Sequence, residues 1–323
     1  MRKNICIDLG TANVLVSVNG ELIFEEPTYI AMSNDKRTVL SVGKEAKSMS
    51  GKVSKEISVV RPMKNGVISD FKAARKLVEY CISLAGKNNW LKPNVLISVP
   101  AGLTSVEERA VIEAGMYAGA SKVILLPEPI SAAIGAGLPV LSAKGFMIVN
   151  MGGGTSEIAV VSVGSVINFK SERIAGDFIT EKIMTFLKQQ YEINVGEASA
   201  EELKIQIGNL VPTAEPIFHE IRGKDLDGFT PRTLNISSND IIDAISPVIS
   251  VIARSVKEVI EKSQSELVSD IIENGIVLSG GTAGIKGIDI FMHDSVGIYA
   301  HIAEDPIHAV IRGLSASVEK VFS

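Results

Sequence analysis

Cysteine is scarce in this sequence, and the two cysteines lie far apart. Cys6 and Cys81 are too distant in the chain to form a CxxC-type metal or redox motif. Both lie in apolar segments, which is typical of buried, reduced thiols in a cytosolic protein. The sequence therefore predicts no disulfide framework and no cysteine-based metal site.

Long apolar runs and dense basic clusters are also missing. No run approaches the roughly 18 to 20 apolar residues that span a bilayer. Arg2 and Lys3 are followed by Asp8 and Gly10 before an apolar region can develop, so we expect no signal peptide. The net charge of -5 and the absence of a basic stripe argue against nucleic acid as a partner. We expect a soluble, cytoplasmic protein.

Several common catalytic motifs are absent too. The chain has no GxxxxGK[ST] phosphate loop, and Gly135-Ala136-Gly137 lacks the third glycine of a dinucleotide fingerprint. It also has no HExxH pair and no GxSxG elbow. P-loop, metalloprotease and serine-hydrolase functions are therefore not predicted.

A strand-turn-strand pattern occurs twice. Ile7-Asp8-Leu9-Gly10-Thr11 is followed by a β-rich run, and Val149 to Thr155 repeats the plan in the second half. With 323 residues, 46% hydrophobic and 21% charged, the chain is long enough for two domains with separate cores. Duplication of one domain is the economical explanation.

Other segments predict the elements around these turns. Met32 to Lys55 is polar and fits a small inserted subdomain. Ser105 and Glu108 have the spacing of a capping box, which predicts that a helix begins there. Helices are expected from Thr180 to Tyr191, from Ala200 to Gly208 and from Asn239 to Lys262, with a polar stretch up to Arg232 between the last two.

Glycine-rich turns after buried strands can bind phosphate, because a backbone without Cβ approaches the oxygens closely and directs N–H groups at them. Most such turns are plain turns. Here three follow buried strands, and each carries a hydroxyl, at Thr11, Thr155 and Thr282. We therefore expect a nucleotide. Asp8 would hold Mg²⁺ through water, the alternative being a turn cap.

Over nearly its whole length the chain resembles the MreB family of bacterial actins. The matching motifs are Ile7 to Asn13, Arg61 to Ile68, Glu128-Pro129 with Ala132 to Gly135, Gly152 to Val160, and Arg173 to Asp177. The resemblance implies an α/β, actin-like (ribonuclease H-like, duplicated) fold with two domains, each carrying a small inserted subdomain. The implied subdomains are 1–30, 62–142 and 315–323 (IA), 31–61 (IB), 143–178 and 250–314 (IIA), and 179–249 (IIB).

The resemblance also implies a function and a set of site residues. ATP with Mg²⁺ would bind in a central cleft, and the chain would polymerise with itself into filaments, as paired protofilaments, that control cell shape or motility. Asp8 and Asn150 would lie at the metal, and Glu128 and Ser156 would serve hydrolysis. The implied nucleotide contacts are Gly10, Thr11, Ala12, Asn13, Gly152, Gly153, Gly154, Thr155, Gly176, Asp177, Glu201, Lys204, Gly280, Gly281 and Thr282.

Three departures from the family pattern predict slow hydrolysis. Pro127 replaces an acidic residue that orients the attacking water, and a proline ring accepts no proton. Asn150 replaces an aspartate beside Mg²⁺, and Ser156 replaces a threonine, losing the methyl group that restrains the rotamer. A specialised chain that co-assembles with more active MreB paralogues is one hypothesis.

A membrane contact is predicted at Trp90-Leu91, within a polar, basic loop where the family has its membrane-inserting segment. Tryptophan favours the bilayer interface and lysine attracts anionic lipid. The alternative is a Trp90 that folds back onto its own domain. No amphipathic helix precedes Ile5, so we expect only weak binding at the inner face of the membrane.

Two other functions fit the same superfold. A small-molecule kinase would need a catalytic base near the γ-phosphate, and Pro127 and Asn150 leave that region poor in bases. An actin-fold chaperone would need a peptide-binding domain, for which a chain ending at Ser323 is expected to have no room.

Overall fold

The computed structural model describes residues 2–35, 38–64, 66–85, 91–228 and 230–322. The chain forms two compact units. Unit 1 contains Met1–Ala143, Val161–Val166 and Ile307–Ser323, and unit 2 contains Lys144–Val160 and Ile167–Pro306. The finer division into four subdomains stays a prediction.

The described residues form strands and helices in both units. The strands are β1 (Asn4–Leu9), β2 (Asn13–Val18), β3 (Glu21–Pro27), β4 (Ile30–Ser33), β5 (Val39–Val42), β6 (Ile57–Val60), β7 (Met63–Lys64), β8 (Val67–Ile68), β9 (Asn94–Val99), β10 (Lys122–Pro127), β11 (Phe146–Met151), β12 (Ser156–Ser162), β13 (Ser165–Glu172), β14 (Ile193–Asn194), β15 (Phe218–Asp225), β16 (Pro231–Ser237), β17 (Ile276–Ser279) and β18 (Ala300–Ile302). The helices are α1 (Lys44–Ser48), α2 (Phe71–Ser83), α3 (Ser105–Tyr117), α4 (Glu128–Gly135), α5 (Gly176–Tyr191), α6 (Glu197–Ile207), α7 (Ile242–Glu261), α8 (Ser265–Asn274), α9 (Ile288–Val296) and α10 (Ala309–Phe322).

A five-stranded sheet in the order β10-β9-β1-β2-β3 organises unit 1. Strand β1 pairs in parallel with β9 and antiparallel with β2, so the first predicted strand-turn-strand unit is present. Apolar side chains of β1 and β9, such as Ile7 and Ile97, are fully buried and pack in one core with Leu77 of α2. The first glycine turn therefore lies at the carboxyl end of a strand fixed on both edges.

A small separate sheet of unit 1 occupies the segment where an inserted subdomain is predicted. Its order is β5-β4-β6, with α1 following β5. Strands β4 and β6 are antiparallel, and Ile30 pairs with Val60. The segments that enter and leave this small sheet, at residues 27–30 and 60–63, therefore run side by side.

Both cysteines are buried and free, as predicted. Burial raises the pKa of the Cys6 thiol to about 11 and that of Cys81 to about 12. The unreactive thiol form is therefore the one present at neutral pH.

A second five-stranded sheet has the order β13-β12-β11-β17-β18. Strands β11 and β17 are parallel neighbours, and Asn150 pairs with Ser279. Two glycine turns, one after β11 and one after β17, therefore lie at the same edge of the sheet. The apolar stripe of α7, including Ile245, Ile249 and Ile252, packs in the same core as Met147 and Leu278.

Three local predictions need correction. The capping box lies one residue earlier than predicted: Thr104 Oγ1 accepts from the Glu107 amide at 3.3 Å, and Glu107 accepts from the Thr104 amide at 2.9 Å. Helix α5 begins at Gly176 rather than Thr180. The polar stretch before Arg232 contains β15 and leads into β16, an antiparallel pair with Ile221 and Ile236 buried.

Among the described residues, no helix is long and apolar enough to cross a membrane.

Candidate functional site

The first glycine turn joins β1 to β2 and is held by donors from elsewhere in unit 1. A Cβ on Gly10 would lie 2.7 Å from the Asn13 carbonyl oxygen, so the turn closes this tightly only with glycine. Thr28 Oγ1 donates to the Gly10 carbonyl at 2.7 Å, and the Gly66 amide donates to Thr11 Oγ1 at 3.0 Å. The turn is therefore held in place by contacts within unit 1.

Asp8 is the second-last residue of β1, just before this turn, and its side chain is buried. Ser98 Oγ on the neighbouring strand β9 donates to Asp8 Oδ1 at 2.7 Å. Burial raises the pKa of Asp8 from 3.8 to about 6. Ser98 was not predicted, although a serine in the apolar strand Asn94–Val99 is a signal that could have identified it.

The carboxylate of Asp8 fits a magnesium site. Its charged form is disfavoured by burial, and a cation beside it would offset that penalty. Mg²⁺ uses only one or two protein carboxylates and keeps several waters. Among the described residues, no group of three or more His, Cys, Asp or Glu side chains is placed to hold a metal ion. A magnesium ion that keeps most of its water shell does not require such a group.

Nucleotide binding in the presence of Mg²⁺ should weaken as the pH falls below about 6. A proton on Asp8 competes with the cation, because the folded-state pKa is raised from 3.8 to about 6. Affinity should fall by up to roughly tenfold per pH unit below that value, the limit for one linked proton. Titrations with Mg²⁺ and nucleotide between pH 5 and pH 8 would measure this.

The control for this titration is Asp8→Asn, because nucleotide phosphates themselves titrate near pH 6, with a second pKa of about 6. The variant should bind nucleotide and Mg²⁺ more weakly at pH 7.5. Its affinity should also change less with pH, because only the nucleotide phosphates then titrate. Parallel slopes for parent and Asp8→Asn would contradict the assignment.

The second glycine turn, in unit 2, is closed by a bond from the Gly152 amide to the Thr155 carbonyl at 2.9 Å. Asn150 is buried, and its Oδ1 accepts from Ser279 Oγ at 3.1 Å across the β11–β17 pair. Ser156 is fully buried, and its hydroxyl donates to the Ile174 carbonyl at 2.7 Å. A catalytic role for Ser156 stays a prediction.

Three separate segments of unit 2 meet at the carbonyl oxygen of Gly152. It accepts from the Gly176 amide at 3.1 Å and from Thr282 Oγ1 at 2.8 Å. The neighbouring Gly153 carbonyl accepts from the Asp177 amide at 2.7 Å. The structure thus brings together the second turn, the beginning of α5 and the third glycine turn.

Lys204 of α6 extends this meeting point. Its buried Nζ donates to the Gly176 carbonyl at 2.9 Å, to Thr180 Oγ1 at 3.1 Å and to Glu201 Oε2 at 2.7 Å. A Cβ on Gly176 would lie 3.1 Å from Lys204 Nζ. Thr180 was not predicted, and only its position one turn after Gly176 in a helix could have suggested it.

The third turn requires glycine at its first position. Gly280 has a φ of 84°, and a Cβ there would lie 2.3 Å from the Met151 carbonyl oxygen. Gly281, by contrast, has open space around its Cβ position. The turn then continues as a 3₁₀ segment from Gly281 to Gly284, rather than the helix that follows later as α9.

This arrangement can bind an anionic ligand. The Gly152, Gly153 and Thr155 carbonyls, which would repel phosphate, already accept protein donors. The 16-residue helix α5 directs its amino-terminal end at the same place, and helix amino termini attract anions. The unit 2 residues predicted to bind nucleotide therefore lie in one place.

Two other predicted features belong to unit 1. Glu128 is the first residue of α4, directly after Pro127 at the end of β10. The Pro127 carbonyl accepts from Ser131 Oγ at 3.1 Å. Trp90 lies outside the described residues, whereas Leu91 is described and 50% exposed.

Comparison with known proteins gives a consistent result. A family model described as MreB/Mbl protein matches residues 2–322. The cell shape-determining protein MreB of Escherichia coli K12 is 40% identical over 326 residues, covering 99% of this chain and 94% of that protein. The cell shape-determining protein Mbl of Bacillus cereus is 38% identical over 321 residues, covering 99% and 96%.

Solved structures agree with these relatives. The crystal structure of MreB 5 of Spiroplasma citri bound to AMPPNP has a TM-score of 0.93 and 33% identity, covering 99% of this chain and 97% of that chain. The same protein bound to ADP matches equally well. The predicted resemblance and the actin-like fold class are confirmed: the chain belongs to the MreB/Mbl family of bacterial actins.

Proposed function

We propose that this bacterial actin binds ATP with Mg²⁺ and polymerises with itself in response. One observation carries the proposal: Gly176 and Thr282 both donate to the Gly152 carbonyl, and Lys204 donates to the carbonyl of Gly176. Nucleotide-bound structures of the Spiroplasma relative support it.

The roles of the residues follow from their positions. Main-chain amides of the turns at 10–13 and 152–155 would bind phosphate oxygens. Asp8 would hold the Mg²⁺ water shell, and Asn150 would add an oxygen without charge. When bound, Mg²⁺ would neutralise part of the phosphate charge. Glu201 and Lys204 would contact the nucleoside, and Gly280, Gly281 and Thr282 would flank it.

Nucleotide binding can be tested by titrating the protein with a fluorescent ATP analogue and Mg²⁺. Lys204→Met should abolish measurable binding, because it leaves the partly buried Glu201 carboxylate and two further acceptors without their shared donor. Lys182→Met on α5 is a matched control, since Lys182 contacts the Phe178 ring instead. Equal affinities for the two variants would contradict the proposed site.

Polymerisation is the second part of the proposal, and the cell shape-determining relatives support it. High-speed pelleting and negative-stain microscopy with ATP and Mg²⁺ should show filaments, which we propose contain paired protofilaments. A monodisperse monomer under all conditions would count against it. Mixed pelleting with an MreB paralogue would test co-assembly, and no mutual effect would exclude it.

A weak membrane contact through Trp90 and Leu91 is also proposed. The 50% exposure of Leu91 is the described feature that supports it. In sedimentation with anionic liposomes, Leu91→Ser and Trp90→Ser should each partition less than the parent. Leu141→Ser is a suitable control, because Leu141 is exposed and outside this loop. Identical partitioning of parent and loop variants would remove the loop from the proposal.

The small-molecule kinase considered from the sequence has no comparable support. The family match covers residues 2–322, and the curated relatives named above are cell shape-determining proteins. A filament protein is the better proposal.

A further inference from the structure

Residues next to the ends of β4 and β6, which we call the base of the small sheet, donate hydrogen bonds to the first glycine turn. Thr28 lies two residues before β4, and Arg61 directly follows β6. These positions are adjacent because β4 and β6 pair, with Ile30 opposite Val60. The segments that lead into and out of the small sheet therefore lie next to each other.

Each carbonyl of the turn from residue 10 to residue 12 accepts a bond from this base. Thr28 Oγ1 donates to the Gly10 carbonyl at 2.7 Å, and the Thr28 amide donates to the Ala12 carbonyl at 2.9 Å. Arg61 donates through a guanidinium nitrogen to the Thr11 carbonyl at 3.2 Å. Thr28 is fully buried, so its two bonds lack competition from water.

Arg61 also reaches towards the body of the small sheet. Its guanidinium carbon lies 5.6 Å from the centre of the Tyr29 ring, and the Tyr29 carbonyl accepts from the Gly43 amide at 2.9 Å. Gly43 caps α1, whose Lys47 ammonium lies 6.0 Å from the same ring. A continuous set of contacts therefore runs from the Thr11 carbonyl to α1.

We propose that Thr28 and Arg61 are positioning residues that couple phosphate occupancy of the turn at residues 10–12 to the order of the small sheet formed by β4, β5, β6 and α1. A phosphate that draws the amides of the turn towards it moves the carbonyls on the other side of the same peptide planes, because each peptide unit is rigid. The bonds to Thr28 and Arg61 pass that displacement to the base of β4 and β6.

The inference rests on the proposed nucleotide binding. Coupling to the small sheet must be distinguished from a simple attraction between the Arg61 charge and the phosphate. An arginine near a phosphate turn would also raise affinity by its charge alone. A lysine keeps that charge, but its compact ammonium lacks the planar guanidinium that both donates and lies over an aromatic ring. Arg61→Lys therefore separates affinity from coupling.

Hydrogen–deuterium exchange with and without ATP and Mg²⁺ tests the coupling in the full chain. In the parent, nucleotide should slow exchange in peptides covering residues 5–18 and in peptides covering residues 38–60. Thr28→Val and Arg61→Met should keep the protection of residues 5–18, with affinity lowered about fivefold per lost bond. Both variants should lose the protection of residues 38–60. Arg61→Lys should recover affinity but not that protection, whereas Thr28→Ser should recover both.

Matched controls exist for both substitutions. Thr185→Val removes a similar side-chain bond to the Glu181 carbonyl on α5, and Arg75→Met removes an arginine from above the Tyr117 ring. Both controls should behave like the parent. Protection of residues 38–60 that survives in Thr28→Val and Arg61→Met would overturn the coupling, as would its absence in a parent that protects residues 5–18. A parent that binds no nucleotide would instead refute the proposed function, and the coupling with it.

Discussion

Restoring acidic side chains at positions 127 and 150 should raise the rate of ATP hydrolysis by about 10² to 10⁴, the usual contribution of a positioned general base. Pro127 ends β10, whose pairing with β9 places it opposite Val99. The sheet thus fixes the backbone at this point, and Pro127→Glu adds a carboxylate without moving the start of α4. The resemblance to the family implies that an acidic residue here orients the attacking water.

The second substitution, Asn150→Asp, restores a charge beside the expected Mg²⁺. Ser279 Oγ already donates to Asn150 Oδ1 and can donate equally to a carboxylate. A buried carboxylate without a cation is costly, so this substitution should lower stability when Mg²⁺ is absent. The two effects can therefore be separated by adding the metal.

Single-turnover phosphate release measures the gain in hydrolysis. Pro127→Gln is the matched control, because glutamine has nearly the same shape as glutamate but accepts no proton at neutral pH. The parent and Pro127→Gln should be equally slow, Pro127→Glu faster, and Pro127→Glu with Asn150→Asp fastest. If the parent already releases phosphate as fast as the double variant, the prediction of slow hydrolysis is wrong.

The sequence predicted the glycine turns but not the residues that hold them. Gly10, Gly152 and Gly280 follow buried strands, and the local pattern of apolar residues and glycine reveals such positions. Thr28, Ser98 and Thr180 act through contacts with residues distant in the chain, such as the Ser98 bond to Asp8, which the pairing of β1 with β9 creates. No local pattern carries that information.

Element boundaries were missed for a different reason. Thr104 and Ser105 are both good amino-terminal caps, and two acidic residues follow at Glu107 and Glu108, so spacing alone gives two equivalent boxes. The structure forms the box of Thr104 and Glu107. The pair β15 and β16 was hidden because most of its side chains are polar or exposed, and few apolar positions mark the strand period.

Alanine at the crossing of α4 and α10 should destabilise unit 1 by about 3 kcal/mol or more, at the upper end of the cost of overpacking. A Cβ on Gly135 would lie 1.8 Å from the Ala309 carbonyl oxygen, and a Cβ on Gly313 would lie 1.8 Å from the Ser131 carbonyl oxygen. Both distances are far below van der Waals contact with backbone atoms, which cannot rotate away as a side chain can. The two helices cross in direct backbone contact.

Helix propensity alone predicts the opposite result for Gly313, because alanine in a helix interior is favoured over glycine by about 1 kcal/mol. Whether Gly313→Ala lowers or raises stability therefore shows which effect is larger, the steric clash at the helix crossing or the helix propensity of alanine. Gly284→Ala is the control, since its Cβ would meet open space and the variant should stay close to the parent. Chemical denaturation of a chain with two units need not be two-state. Hydrogen exchange in peptides covering residues 309–322 is therefore the direct measurement.

Exchange in residues 309–322 should be faster in Gly135→Ala and Gly313→Ala than in the parent and in Gly284→Ala. Unchanged or slower exchange would show that the helices can separate without cost. Because α4 begins at Glu128, a shift of this helix should also displace the side chain implied in hydrolysis. The same variants should therefore lose any gain in phosphate release that Pro127→Glu provides, even where nucleotide still binds.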